Sequence, residues 1–172
     1  MLAFVELRQP FLKITMQENT NKIKNILIKG SGDITDSQQF FDFVVEKARS
    51  NYVVVICGGG TKIGIALENA GYPIEFDSLG RRITKTWEER MIMRDVLEKE
   101  EKRLQDKFVG KGVVVALPIL YAGSALCPIN GDDLVKAYEL GFDEIFVFTK
   151  SERVEKKERI FQDFSKVKVI GV

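Results

Sequence analysis

The chain has 172 residues, of which 45% are apolar and 30% charged, and a formal net charge of +1; this suits one globular domain with a real core and excludes the basic footprint of a nucleic-acid-binding protein. It contains no histidine and two widely separated cysteines, Cys57 and Cys127, which excludes Ser-His and Cys-His nucleophiles, a histidine base and the usual zinc sites. Chemistry must rest on Lys, Arg, Asp, Glu and backbone amides. With no secretory signal and no membrane-length apolar run, a reduced cytoplasmic protein with no membrane contact is expected.

Phe4 to Ile14 alternates around Pro10 and precedes the polar MQENTNK, which predicts an N-terminal arm or edge strand over residues 1–22. The short apolar run Asn25 to Lys29 predicts a strand that ends in Gly30, Ser31 and Gly32, with a helix start signalled by Thr35, Asp36 and Ser37. On the helix over roughly 37 to 49, Phe40, Phe41, Val44, Val45 and Ala48 share one side. Tyr52 to Cys57 is an unbroken apolar run that stops at Gly58, Gly59 and Gly60, and helix-compatible sequence opens near Thr61.

Glycine amides can approach a ligand closely, and the helix N-terminus behind them presents unpaired N–H groups and a positive dipole, so the natural guest is an anion such as a phosphate. A lone triplet is equally compatible with a plain tight turn. The second strand–glycine–helix unit upstream favours the ligand reading, because both turns then lie at the carboxyl ends of parallel strands. Neither turn is a P-loop, since no GKS or GKT closes it, and GSGDIT lacks the third glycine of a dinucleotide fingerprint.

The next helix runs to about Ala70, followed by Gly71 and Pro73; FDSLGRRIT is then a turn carrying Arg81 and Arg82. Thr86 to Glu89 fits a capping box that opens a long helix to about Lys107, its charged far end a solvated face. Gly112 to Leu117 is a third buried strand, and 119 to 133 reads as loop, carrying Asn130, Gly131, Asp132 and Asp133 into a short helix from Leu134 to Leu140. Glu144 to Phe148 is a fourth strand ending at Thr149 and Lys150, and a charged helix and the strand VKVIGV close the chain. Strands alternating with helices predict a single α/β domain, a three-layer αβα sandwich with a mostly parallel central sheet.

The order of these motifs over residues 25 to 154 resembles the amino acid kinase superfamily, which includes uridylate kinase, N-acetylglutamate kinase and aspartokinase. Lys29, Ser31 and Gly32 resemble the KxSG opening, Gly58 to Gly60 the HGGG turn, GRRITKTWEERMIMRDVL the GLRVTD segment, INGDD the INAD motif, and ELGFDEIFVFTKSERV the nucleotide-site segment. The resemblance implies an ATP-dependent kinase with Mg2+, acting on a small carboxylate, phosphate or nucleotide acceptor. It implies that Lys29 and Asp132 are catalytic, the first on the transferred phosphate and the second orienting lysines. Gly30, Ser31, Gly32, Gly58, Gly59, Gly60, Thr149 and Lys150 would hold phosphates and nucleotide, and Arg82 and Asn130 the acceptor; no metal ligands of the protein's own are implied.

Arg81 is an alternative to Arg82, and counting back from Gly141 puts Asn130 rather than Asp132 on the family aspartate. Lys85 replaces the aspartate of GLRVTD, and Pro128 stands where the asparagine before INAD is found. The family also carries a further segment, with a second catalytic lysine, beyond the point where this sequence stops at Val172, so a C-terminal truncation is expected. The competing reading is a catalytically degenerate, kinase-like protein that binds a phosphate-bearing ligand or regulates a partner. A homo-oligomer or a partner subunit is the expected assembly.

Overall fold

The computed structural model describes residues 22–122 and 125–172. The arm or edge strand expected over residues 1–22 lies outside them, Lys22 apart. Among these residues nine strands, β1 Asn25–Gly30, β2 Tyr52–Ile56, β3 Glu75–Phe76, β4 Arg82–Ile83, β5 Val113–Ala116, β6 Ile119–Ala122, β7 Ala125–Pro128, β8 Glu144–Thr149 and β9 Val167–Gly171, are interspersed with five helices. The helices are α1 Gln38–Ala48, α2 Gly60–Asn69, α3 Trp87–Lys107, α4 Gly131–Tyr138 and α5 Val154–Phe161.

A five-stranded sheet in the order β5-β2-β1-β8-β9 forms the centre, and every pairing in it is parallel. The three inner strands are buried from their second residue onward, as continuous apolar runs demand when both faces are covered. Ile26, Ile28, Val53, Val55, Phe146 and Phe148 point to one face, where they meet the apolar sides of α1, α2 and α3. Leu27, Ile56, Ile145 and Val147 point to the other, against Leu134 and Val135 of α4 and Phe161 of α5. The register sets Lys29 opposite Ile56 on one side and Val147 on the other, so the ends of β1, β2 and β8 finish level with one another.

Local signals set the helix starts. Ser37 accepts a hydrogen bond from the Phe40 amide at 3.2 Å and caps α1. Thr86 and Glu89 form the capping box of α3, with Glu89 Oε2 accepting from the Thr86 amide at 2.7 Å and Thr86 Oγ1 from the Glu89 amide at 3.1 Å.

Several expectations need adjustment. The segment at Thr35 is a short 3-10 turn, Gly32–Asp36, before the true cap at Ser37. Residues 119–122 and 125–128, where a loop was expected, pair as the antiparallel strands β6 and β7, and FDSLGRRIT is drawn into the small hairpin β3–β4. The short helix begins at Gly131 rather than Leu134, because Asn130 caps it.

Candidate functional site

The carboxyl ends of β1, β2 and β8 open into a cleft of about 650 Å3. Lys29, near the end of β1, points to the α4/α5 side, is only 6% exposed and donates from Nζ to Asp132 Oδ1 at 2.6 Å. The other carboxylate oxygen of Asp132 accepts from Lys157, which α5 brings in on the same side of the sheet. Asp132 sits in the first turn of α4, where the helix dipole favours a carboxylate. Asn130 lines the same cleft, but its side chain is engaged in the cap, accepting from the Asp132 amide at 2.8 Å. A Cβ on Gly131 would come within 3.2 Å of Lys29 Cε, so the glycine leaves the lysine its path.

Both partners of the Lys29–Asp132 pair are shifted downwards. Burial pulls the Lys29 ammonium below its usual pKa; Asp132 opposes this and Lys157 reinforces it. Burial pushes the Asp132 carboxyl up, but the charges and hydrogen bonds of Lys29 and Lys157 together outweigh it and hold the carboxyl below its usual value. One carboxylate between two ammonium groups leaves a surplus positive charge at the cleft floor.

The two glycine turns stand back to back beside this floor. A Cβ on Gly58 would lie 2.6 Å from the Gly30 carbonyl oxygen and 2.7 Å from the Gly32 nitrogen, so only glycine permits the contact. Gly32 itself has φ +32, and the Ser31 amide donates to the Phe148 carbonyl at 3.0 Å, which ties the first turn to β8. At Gly59 a Cβ would meet Leu97 at 3.0 Å and Ile63 at 3.3 Å, whereas Gly60, the first residue of α2, has open space around it.

Arg82 of β4 reaches the cleft and Arg81 does not. Arg82 Nη2 donates to the Gly60 carbonyl at 3.0 Å, its guanidinium lies 5.0 Å from the Phe76 ring centroid, and Nη1 is buried without a hydrogen-bond partner among the described residues. Burial lowers its pKa. Arg81 instead pairs with Asp77 at 2.7 Å. Thr149, at the end of β8, is fully buried with its hydroxyl likewise unpartnered among the described residues, and Lys150 lines the rim. Cys57 lies in the wall, but burial pushes its thiol up to about 12, which keeps it protonated.

No protein-family model matches the chain, and no curated protein matches it by sequence. Solved structures do share its fold. N-acetylglutamate synthase from Neisseria gonorrhoeae complexed with coenzyme A and L-arginine aligns with a TM-score of 0.53 and 8% identity, covering 86% of this chain and 56% of that one. The same enzyme complexed with coenzyme A and N-acetylglutamate gives a TM-score of 0.53 and 7% identity, over 86% and 54% of the two chains. The chain thus spans about half the length of these neighbours, and at such identity the likeness shows the fold alone.

These neighbours correct the resemblance to amino acid kinases, and with it the expected kinase activity, its degenerate variant and the ATP–Mg2+ cofactor. The solved structures named above are of N-acetylglutamate synthase, complexed with coenzyme A and with L-arginine or N-acetylglutamate. The donor set agrees with the correction. Asp132 is the one carboxylate among the described residues lining the cleft, and both its oxygens are taken by lysines, which leaves no free carboxylate for a magnesium ion. No group of three or more Cys, Asp or Glu among the described residues is placed to hold a metal. No helix among them is long and apolar enough to cross a membrane.

Sequence reasoning missed Lys157, which it placed in a solvated charged helix. Its signal was available: Lys157 stands four residues before the buried Phe161 and three after Val154, so it falls on the inward face of α5. Gly131, Met93 and Leu97 were also missed as cleft residues.

Proposed function

We propose that this chain binds a small organic anion, carrying a carboxylate or phosphate group, in the cleft at the ends of β1, β2 and β8. The observation that carries the reading is the Lys29–Asp132–Lys157 cluster. A buried floor with one more positive than negative group is costly to keep, and a bound anion offsets that cost by completing the charge balance. In this reading Lys29 and Lys157 face the anionic group, while Asp132 holds both lysines in place. The amides of Gly32 and of Gly58 to Gly60 present N–H groups beside it. Arg82 and Thr149 stand at the edges with unused hydrogen-bonding capacity, and Asn130 and Lys150 complete the rim. A cleft of about 650 Å3 is of a size for a metabolite.

Coenzyme A carries phosphates and N-acetylglutamate carries two carboxylates, so the ligands of the structural neighbours supply natural probes. Thermal unfolding in the presence of coenzyme A, N-acetylglutamate and inorganic phosphate tests the proposal. A ligand at a hundred times its dissociation constant adds about 2.7 kcal/mol, which raises the melting point by roughly 5–11 °C in a domain of this size. If none of the three moves the melting point at millimolar concentration, the anion site is refuted.

A further inference from the structure

The cleft has two chemically different halves. Its charged half lies on the α4/α5 side of the sheet, where Lys29, Asp132 and Lys157 meet. Its other half lies on the α2/α3 side and is walled by Ile63, Met93 and Leu97, all part of the apolar cluster beneath α1 to α3. Met93 and Leu97 are one turn apart on the same face of α3, and Ile63 and Leu97 close on Gly59 from two sides. The Cys57 thiol, held protonated, adds a further uncharged surface, and Phe76 is 56% exposed at the lip. Arg82 stands at the edge of this half, its Nη2 engaged by Gly60 and its face by Phe76, with Nη1 left without a partner among the described residues.

A bare phosphate on the charged floor makes no use of the Ile63, Met93 and Leu97 wall, while an apolar group attached to the anion would be buried against it. Resting on the anion-binding reading above, we propose that the ligand is an amphiphilic organic anion, its carboxylate or phosphate on the lysines and an apolar group of a few carbons against α3. The flexible, polarizable Met93 side chain suits such a group, because it adapts to irregular apolar shapes.

The test compares inorganic phosphate, methyl phosphate and n-butyl phosphate by calorimetry on the full chain, with the wild type beside Met93→Gln. Each fully buried methylene is worth about fourfold in affinity, from about 0.8 kcal/mol, so n-butyl phosphate is expected to bind up to roughly 60-fold more tightly than methyl phosphate. Met93→Gln, which keeps the length of the side chain and makes it polar, is expected to flatten that gain. Equal affinities along the wild-type series, or a chain-length gain that persists undiminished in a folded Met93→Gln, overturns the amphiphilic ligand and leaves the anion site standing. Binding of none of the three refutes the anion site itself. The wild-type series decides the matter should the variant fail to fold.

Discussion

Replacing Asp132 by Asn separates the charge argument from a packing argument. The side chain keeps its size and its place on α4, but Lys29 and Lys157, with side chains 7% and 16% exposed, lose the carboxylate between them. Removing one partner from a buried charge cluster costs about 3–5 kcal/mol, which for a domain of this size lowers the melting point by roughly 6–20 °C. Lys157→Met is the control. It removes one ammonium and leaves Lys29 and Asp132 as a balanced pair at 2.6 Å, so stability should stay within about 1 kcal/mol of the wild type. Anion affinity should nevertheless fall, by roughly 10- to 150-fold, if a charged hydrogen bond worth about 1.5–3 kcal/mol is lost. Thermal melts followed by circular dichroism, with calorimetry for ligand binding, read both quantities. Equal melting points for Asp132→Asn and the wild type would refute the reasoning, and so would a Lys157→Met that is as unstable as Asp132→Asn.

Gly58→Ala should destabilise the chain by several kcal/mol, because its Cβ would strike the backbone of Gly30 and Gly32, whereas Gly60→Ala, with nothing within 4 Å, should leave the melting point unchanged or slightly raised. Thr149→Val should raise the unliganded melting point by roughly 2–12 °C, since it removes a buried hydroxyl without a partner among the described residues, a group whose burial costs about 1–3 kcal/mol. Lys29 and Asp132 fix the pH dependence. Below the usual lysine value of 10.5 and above its lowered folded value, the unfolded chain holds the Lys29 proton and the folded chain has released it, so this group makes stability rise with pH through that window. Asp132 contributes stability above its ordinary value of 3.8 that is lost as pH falls through its lower folded value, and Asp132→Asn should remove that acid limb from a stability–pH profile.

Much of the fold was legible because burial on both faces leaves a strong mark. Asn25 to Lys29, Tyr52 to Ile56 and Glu144 to Phe148 are apolar runs without alternation, and they became the three central strands. The caps at Ser37 and Thr86 were equally readable, since each uses a side chain to satisfy amides that a helix start leaves unpaired. The β6–β7 pair was not. It contains two prolines at or beside its ends and exposes Leu120 and Tyr121, so its sequence carries neither the period of a half-buried strand nor a tight-turn pair such as Asn-Gly.

The site was half legible, and the half that misled shows what a glycine turn encodes. Gly58 must be glycine because two backbones pack there, and Gly30 because a Cβ would lie 2.4 Å from Thr35 Cγ2. Those are requirements of strand-to-helix geometry at the level ends of parallel strands, and they recur wherever such ends meet, whatever ligand is held. The order of the turns therefore carried the mixed α/β fold with its mostly parallel sheet, and not the reaction. What distinguishes one ligand from another is the chemistry of side chains that converge from distant parts of the chain. Lys29 and Asp132 lie 103 positions apart in sequence, and Asp132 and Lys157 another 25. Met93 and Leu97 reach the same cleft from a helix whose sequence is mostly charged. A local motif cannot report that convergence, because each residue taken alone has an ordinary explanation as a turn, a cap or a core position. Only the level ends of β1, β2 and β8 turn them into one surface with a charged half and an apolar half.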